Sequence, residues 1–152
     1  MRTIAAWPLD GTPPPDVPAE FHDACARVGR DLRHLPAGDR LPAGVRWELS
    51  EDHYSGFLLG LGSDRGMLFT QDTDPYLPPG PLTAYVAERV QDHLTGHEFV
   101  QWPACPGHTH PLVAAAAGAQ AWWHCRRSGD LLVRIGELAT GRRDPRGVSG
   151  TA

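Results

Sequence analysis

Apolar residues in the first third of the chain recur at a helical spacing. Phe21, Cys25, Val28, Leu32 and Leu35 are separated by four, three, four and three residues. That spacing puts them on one helix face, with Arg27, Arg30, Asp31 and Arg33 elsewhere on its surface. Asp16 is the expected cap, Pro18 falls in the first turn, and Pro36-Ala37-Gly38 ends the helix. The period then changes. Val45, Trp47 and Leu49 alternate with Arg46, Glu48 and Ser50, the signature of a strand with one buried face. Residues 54–62 and 66–70 read as two further strands joined at Ser63-Asp64-Arg65, which predicts an antiparallel meander. Trp47, Leu49, Phe57, Leu59 and Met67 are expected to face the helices. Residues 72–81 form a loop whose aspartates lack the third carboxylate and the glycine of a calcium loop. Leu82, Val86, Val90 and Leu94 trace a second helix that Gly96 is expected to stop, and Phe99, Val100 and Trp102 read as a short strand.

These elements predict an α+β fold: a helix, a three-stranded antiparallel meander, a second helix, then a zinc-braced β-hairpin. Residues 1–15 read as a flexible proline-rich lead-in. Residues 16–138 form one α+β domain with the metal-binding hairpin at 99–138. Residues 131–138 supply a last strand, and 139–152 read as a disordered Gly/Arg tail with too few apolar residues to fold. The 152-residue length suits one domain with a real core.

Candidate chemistry gathers in residues 101–125, where Cys105-x-x-His108-x-His110 is followed, after fourteen intervening residues, by Cys125. Thiolates and imidazoles are the ligands zinc prefers, and two residues between Cys105 and His108 let a tight turn aim both at one ion. Alternation along an extended backbone returns His110 to the side of His108. A hairpin turning near Ala117-Gly118-Ala119 brings Cys125 back beside them. His124 and Cys125 are adjacent and point to opposite faces, and thiolate is the stronger ligand. The expected set is Cys105, His108, His110 and Cys125, with His124 the alternative to His110. Cys25 reads as a small core residue on the first helix stripe. Trp102, Trp122 and Trp123 read as the core of the small module.

The pattern Trp-Pro-x-Cys-Pro-x-His-x-His-Pro-Leu, with its Ala-x-Trp-x-Cys ending and later Ile-Gly-x-Leu, resembles the tail of small uncharacterised actinobacterial proteins. More loosely it resembles a zinc ribbon. The likeness covers residues 102–138 and implies a metal-binding tail. The chain departs from a true ribbon in lacking a second Cys-x2-Cys knuckle.

Composition narrows the function classes. The formal charge of −4 and the pI near 6.0 argue against nucleic acid as a partner. All fourteen basic residues are arginine, which excludes Schiff-base lysine chemistry and a phosphate-loop lysine. His97-Glu98 lacks the second histidine of a His-Glu-x-x-His protease helix. It also lacks the His-x-Glu and Pro-Cys-x-x-Cys pairing of a zinc deaminase. No apolar run approaches the ~20 residues that cross a bilayer. Three cysteines without a secretory signal point to a reducing cytoplasm, where paired Cys and His serve metal better than disulfides. The expectation is a zinc protein whose structural ion fixes a surface hairpin for a protein partner, as a binding or regulatory module. The alternative is a small zinc enzyme with three protein ligands and a bound water, His110 or His124 freed as acid or base, and Glu98 nearby.

Overall fold

A computed structural model describes residues 1–36 and 38–138; the expected tail at 139–152 lies outside them. Four antiparallel strands form the first sheet: β1 (Arg2–Pro8), β2 (Arg46–Asp52), β3 (Gly56–Ser63) and β4 (Gly66–Asp72), in the order β1-β2-β3-β4. The meander at β2-β3-β4 therefore has a fourth member. Residues Arg2–Pro8 pair with β2 where the sequence suggested a flexible lead-in, because Ala5 and Trp7 alternate inward and set Trp7 opposite Trp47. On the inner face Leu49 lies opposite Leu59 and Trp47 opposite Leu61, all essentially buried. The Trp47 indole N–H donates to the Leu9 carbonyl at 3.2 Å, tying the end of β1 to the sheet. Phe57 is half-buried and meets Phe21 edge to face at 5.9 Å. Met67, expected inside, is 53% exposed. A register shift after Leu61 pairs Met67 with Gly62, so the alternation that points Leu59 and Leu61 at the helices turns Met67 away.

The helix α1 (Ala19–Asp31) begins after Pro18, later than the Asp16 cap suggested, and ends four residues before Leu35. Its stripe of Phe21, Cys25, Val28 and Leu32 is buried, as the spacing required. The second helix, α2 (Pro79–His93), packs on α1 and on the hairpin formed by Val113–Ala117 and Gln120–His124, and starts with proline in its first turn. Gly96 does not stop it. The chain instead widens into a π-helical turn, Leu94–Glu98, closed by Phe99 at φ 56° and a Val100 N–H to Leu94 carbonyl bond of 2.9 Å. A left-handed residue followed by this seven-to-one bond closes the turn as a Schellman motif widened by one residue, here with phenylalanine in the place that usually takes glycine. Its effect is to leave Phe99 exposed while Val100 and Trp102 enter the core; they are not in a strand as expected.

The second sheet is three-stranded, in the order β5-β6-β7: β5 (Val113–Ala117), β6 (Gln120–His124) and β7 (Leu131–Arg134). The expected hairpin is β5-β6, turned through Gly118-Ala119 with Gly118 at φ 62°, the positive value that the first position of a two-residue type II′ turn needs. The final strand stops at Arg134, after which Ile135 is buried and Gly136 turns the chain back toward α1. One hydrophobic core joins both sheets, running from Trp7 and Trp47 through Val86 and Val90 to Trp102, Trp123 and Ile135.

Asp31, the last residue of α1 and 1% exposed, docks this second sheet. Its carboxylate accepts from the Trp123 indole at 2.7 Å, the Gly136 N–H at 2.7 Å and the Leu138 N–H at 3.1 Å. Its backbone carbonyl accepts from the Trp102 indole at 3.1 Å. Burial pushes the Asp31 carboxyl above its ordinary value, and the three donors, with His34 nearby, pull against that rise. From α2 the buried Gln91 amide donates to the carbonyls of Trp102 (2.9 Å) and Leu112, at the two stems of the Cys105 loop. These contacts position the candidate site.

Candidate metal centre

The loop carrying Cys105, His108 and His110 is pinched shut at its base. Ala104 and Pro111 form an isolated antiparallel bridge, Leu112 N–H donates to Pro103 O at 2.8 Å, and Cys105 N–H to His110 O at 3.4 Å. The Trp102–Pro103 bond is cis. Proline at 103, 106 and 111 and glycine at 107 suit so short a loop. At the end of β6, Cys125 is held by its own turn: its N–H donates to Asp130 O at 3.0 Å, and its carbonyl accepts from Gly129 N–H at 2.7 Å.

All four expected ligands converge. The donor atoms of Cys105, His108, His110 and Cys125 lie within 4.8 Å of one another, and among the described residues no other group of His, Cys, Asp and Glu does so. His108 Nδ1 stands 3.4 Å from Cys105 Sγ and 3.2 Å from Cys125 Sγ, and His110 Nε2 stands 3.7 Å from Cys125 Sγ. A tetrahedral zinc with bonds of ~2.3 Å to sulfur and ~2.05 Å to nitrogen sets its S and N ligands roughly 3.5 Å apart. The observed separations bracket that edge. Hydrogen bonding alone accounts for them poorly, since a single ring nitrogen carries at most one N–H and His108 Nδ1 faces two sulfurs.

The surrounding contacts prepare each donor. His110 Nδ1 lies 2.9 Å from the Pro111 carbonyl; an N–H there fixes the tautomer and leaves the Nε2 lone pair aimed at the cluster. The His108 and His110 rings stack at 4.9 Å and 17°. Ser128 N–H points at Cys125 Sγ at 3.4 Å. The Ser128 hydroxyl and N–H, aided by the Arg127 N–H and Cys105, draw the Cys125 thiol down to about 6 against the opposing effect of burial, which favours the thiolate. Two thiolates and two imidazoles form a set that can hold a metal ion, and their softness suits zinc over a hard cation.

His124 is outside the cluster. Its Nδ1 lies 3.0 Å from the Val113 carbonyl of the neighbouring strand β5. Glu98 lies 3.3 Å from the buried His93 ring, which stacks between Phe69 and His97, and belongs to the π-helical turn. Cys25 is fully buried on α1, where burial pushes its thiol far up, as a core residue requires. Sequence reasoning missed the supporting residues Asp31, Gln91 and Ser128. Asp31 alone left a signal: an aspartate in the last helical turn, three residues after the buried Val28, opposes the helix dipole and calls for a buried partner. Comparison of the chain with protein-family models, curated proteins and solved structures finds no match.

Proposed function

We propose that the protein binds one zinc ion through Cys105, His108, His110 and Cys125 and that the ion is structural. The observation that carries this reading is the convergence of four donors, two of them thiols, at tetrahedral spacing. Four ligands fill zinc's usual structural coordination and leave no position for a reacting water. In this reading the ion clamps the Cys105 loop to the end of β6 and holds the β5-β6 hairpin as a rigid surface for a protein partner, so the chain acts as a binding or regulatory module in a reducing cytoplasm. No disulfide joins its three cysteines, which supports that compartment.

The enzyme alternative needs a bound water with His110 or His124 released as acid or base. His110 Nε2 faces Cys125, His124 faces the Val113 carbonyl, and Glu98 faces His93, which favours the closed set. Elemental analysis of the purified chain tests the proposal. One zinc per chain is expected, with Cys105→Ser and Cys125→Ser abolishing it and His124→Ala leaving it unchanged. Metal-free wild-type protein that keeps its second sheet folded would refute a structural role.

A further inference from the structure

Outside the candidate metal centre, two of the three most exposed aromatic side chains among the described residues stand at one end of the four-stranded sheet. Tyr54 is 93% exposed in the β2–β3 turn, and Tyr76 is 86% exposed in the loop between β4 and α2. The two are presented alike. The Asp52 carboxylate accepts the Tyr54 N–H at 2.8 Å, and the Asp74 carboxylate accepts the Tyr76 N–H at 2.8 Å, so each tyrosine rides on an Asp-x-Tyr turn fixed by its own aspartate. The Thr73 N–H to Phe57 carbonyl bond of 2.9 Å and the Tyr85 hydroxyl to Asp72 carbonyl bond of 2.8 Å hold the two turns in fixed relation.

Between the turns runs a groove of about 460 Å³, walled by Ser55 and Gly56 on one side and Asp74 and Tyr76 on the other, with Phe57 and Pro75 lining it. A second groove of about 540 Å³ lies beyond Tyr76, bordered by Glu20 and Asp23 of α1. No basic residue lines either groove. Asp52, Asp72, Asp74 and Glu20 make no ion pair among the described residues, whereas Arg2 at this end of the sheet is already paired with Glu51. Carboxylates do not converge here as metal ligands. The negative rim repels phosphate, which disfavours nucleic acid and anionic membrane.

We propose that this groove is a docking surface for an extended, arginine-rich segment of a protein partner. Tyrosine rings offer flat faces on which guanidinium groups stack, and exposed tyrosines on fixed turns lose little entropy on binding. Within the chain, Arg89 already sits over the Tyr85 ring at 5.4 Å. The unpaired carboxylates supply the complementary charge and steer the approach. The proposal is independent of the metal.

Fluorescence anisotropy of a labelled arginine–glycine repeat peptide, about eight residues long and roughly 27 Å extended, tests it with the full zinc-loaded chain. Saturable binding is expected, weakened about tenfold or more by Tyr54→Ala combined with Tyr76→Ala. The same peptide with lysine for arginine should bind severalfold more weakly, because ammonium lacks the planar stack. Asp72→Asn with Asp74→Asn should weaken binding and flatten its salt dependence while keeping the turns, since asparagine also accepts the Tyr76 N–H. Both tyrosines are exposed, and amide NMR spectra should show the variants folded. No saturation at ~1 mM peptide, where binding free energy falls to about −4 kcal/mol, would overturn the proposal. So would equal affinity for the tyrosine variant or for the lysine peptide, either of which would reduce the surface to diffuse charge. Displacement of the peptide by calcium would make it a cation site. A tenfold gain on deleting residues 139–152, which carry Arg142, Arg143 and Arg146, would make the chain's own tail the occupant.

Discussion

The two sheets are held by different physics. The four-stranded sheet buries Trp7, Trp47, Leu49, Leu59 and Leu61 on one continuous face, so its strands and helices fix one another through many weak contacts spread over a large area. The three-stranded sheet has short strands, an exposed turn at 126–130 and exposed Leu131 and Leu132; its inward contribution is mainly Trp123, Ala121 and Ile135. A few strong points substitute for area there: the Asp31 carboxylate, the Gln91 amide and, in the proposed reading, a metal held by the cysteine–histidine cluster. Distributed packing tolerates the loss of one contact. A region held by a few points fails when one of them goes.

The sharpest way to break the comparison is therefore Cys125→Ser. Structural zinc contributes about 10–16 kcal/mol of apparent binding free energy in small metal domains, far more than a site this small can replace. We expect zinc loss together with loss of amide protection across β5, β6 and β7, while β2 and β3 stay protected, as read by hydrogen exchange. A core substitution should behave in the opposite way. Leu49→Ala, at a fully buried position, should cost about 2–5 kcal/mol in denaturant unfolding yet leave zinc affinity in the folded state unchanged.

How much of this was visible beforehand follows the same division. Wherever apolar residues repeat with a clean period, as from Phe21 to Leu32 and from Val45 to Leu49, sequence alone located the element and its buried face. The candidate cluster was legible for another reason: Cys and His at knuckle spacing are rare enough to stand out, and their side chains converge as expected. What escaped depended on contacts distant in sequence. Strand β1 has two inward residues, Ala5 and Trp7, in front of a proline run, and its pairing partner lies about forty residues on. Met67 faces outward because of a register shift that no local pattern encodes. Gly96 carried a stop signal, yet the helix end was set where Val100 and Trp102 could be buried. Asp31 acquires its role only when Trp123, Gly136 and Leu138, roughly a hundred residues away, arrive beside it.

Asp31→Ala sharpens the comparison by separating docking from metal binding. It leaves an indole N–H and two backbone N–H groups buried without an acceptor, at about 1–3 kcal/mol each before relaxation. We expect a net loss of about 3 kcal/mol and altered near-ultraviolet signals from Trp102 and Trp123, with zinc stoichiometry intact. Loss of the metal in this variant would mean that docking and the metal centre form a single unit.

The smallest expected effect concerns acid. Burial holds the His93 imidazole below its ordinary value of 6.5, with the Glu98 carboxylate partly opposing. The folded state therefore takes up this proton less readily than the unfolded chain. The associated stability is complete above 6.5 and is lost as pH falls through the lower folded value. His93→Phe, which preserves the stack with Phe69 and His97, should reduce the stability lost between about pH 7 and about pH 5. An unchanged slope would assign that acid sensitivity elsewhere.

The central claim is a closed zinc site, and the coordination sphere itself tests it most directly. Zinc K-edge X-ray absorption on the purified chain, with the optical spectrum of the cobalt-substituted protein, reads ligand number and type. The account predicts four-coordinate metal with two sulfurs at ~2.3 Å and two imidazole nitrogens at ~2.0–2.1 Å, losing one sulfur's contribution in Cys105→Ser. A first shell containing an exchangeable water oxygen, or only one imidazole, would contradict it and shift the balance to a catalytic metal.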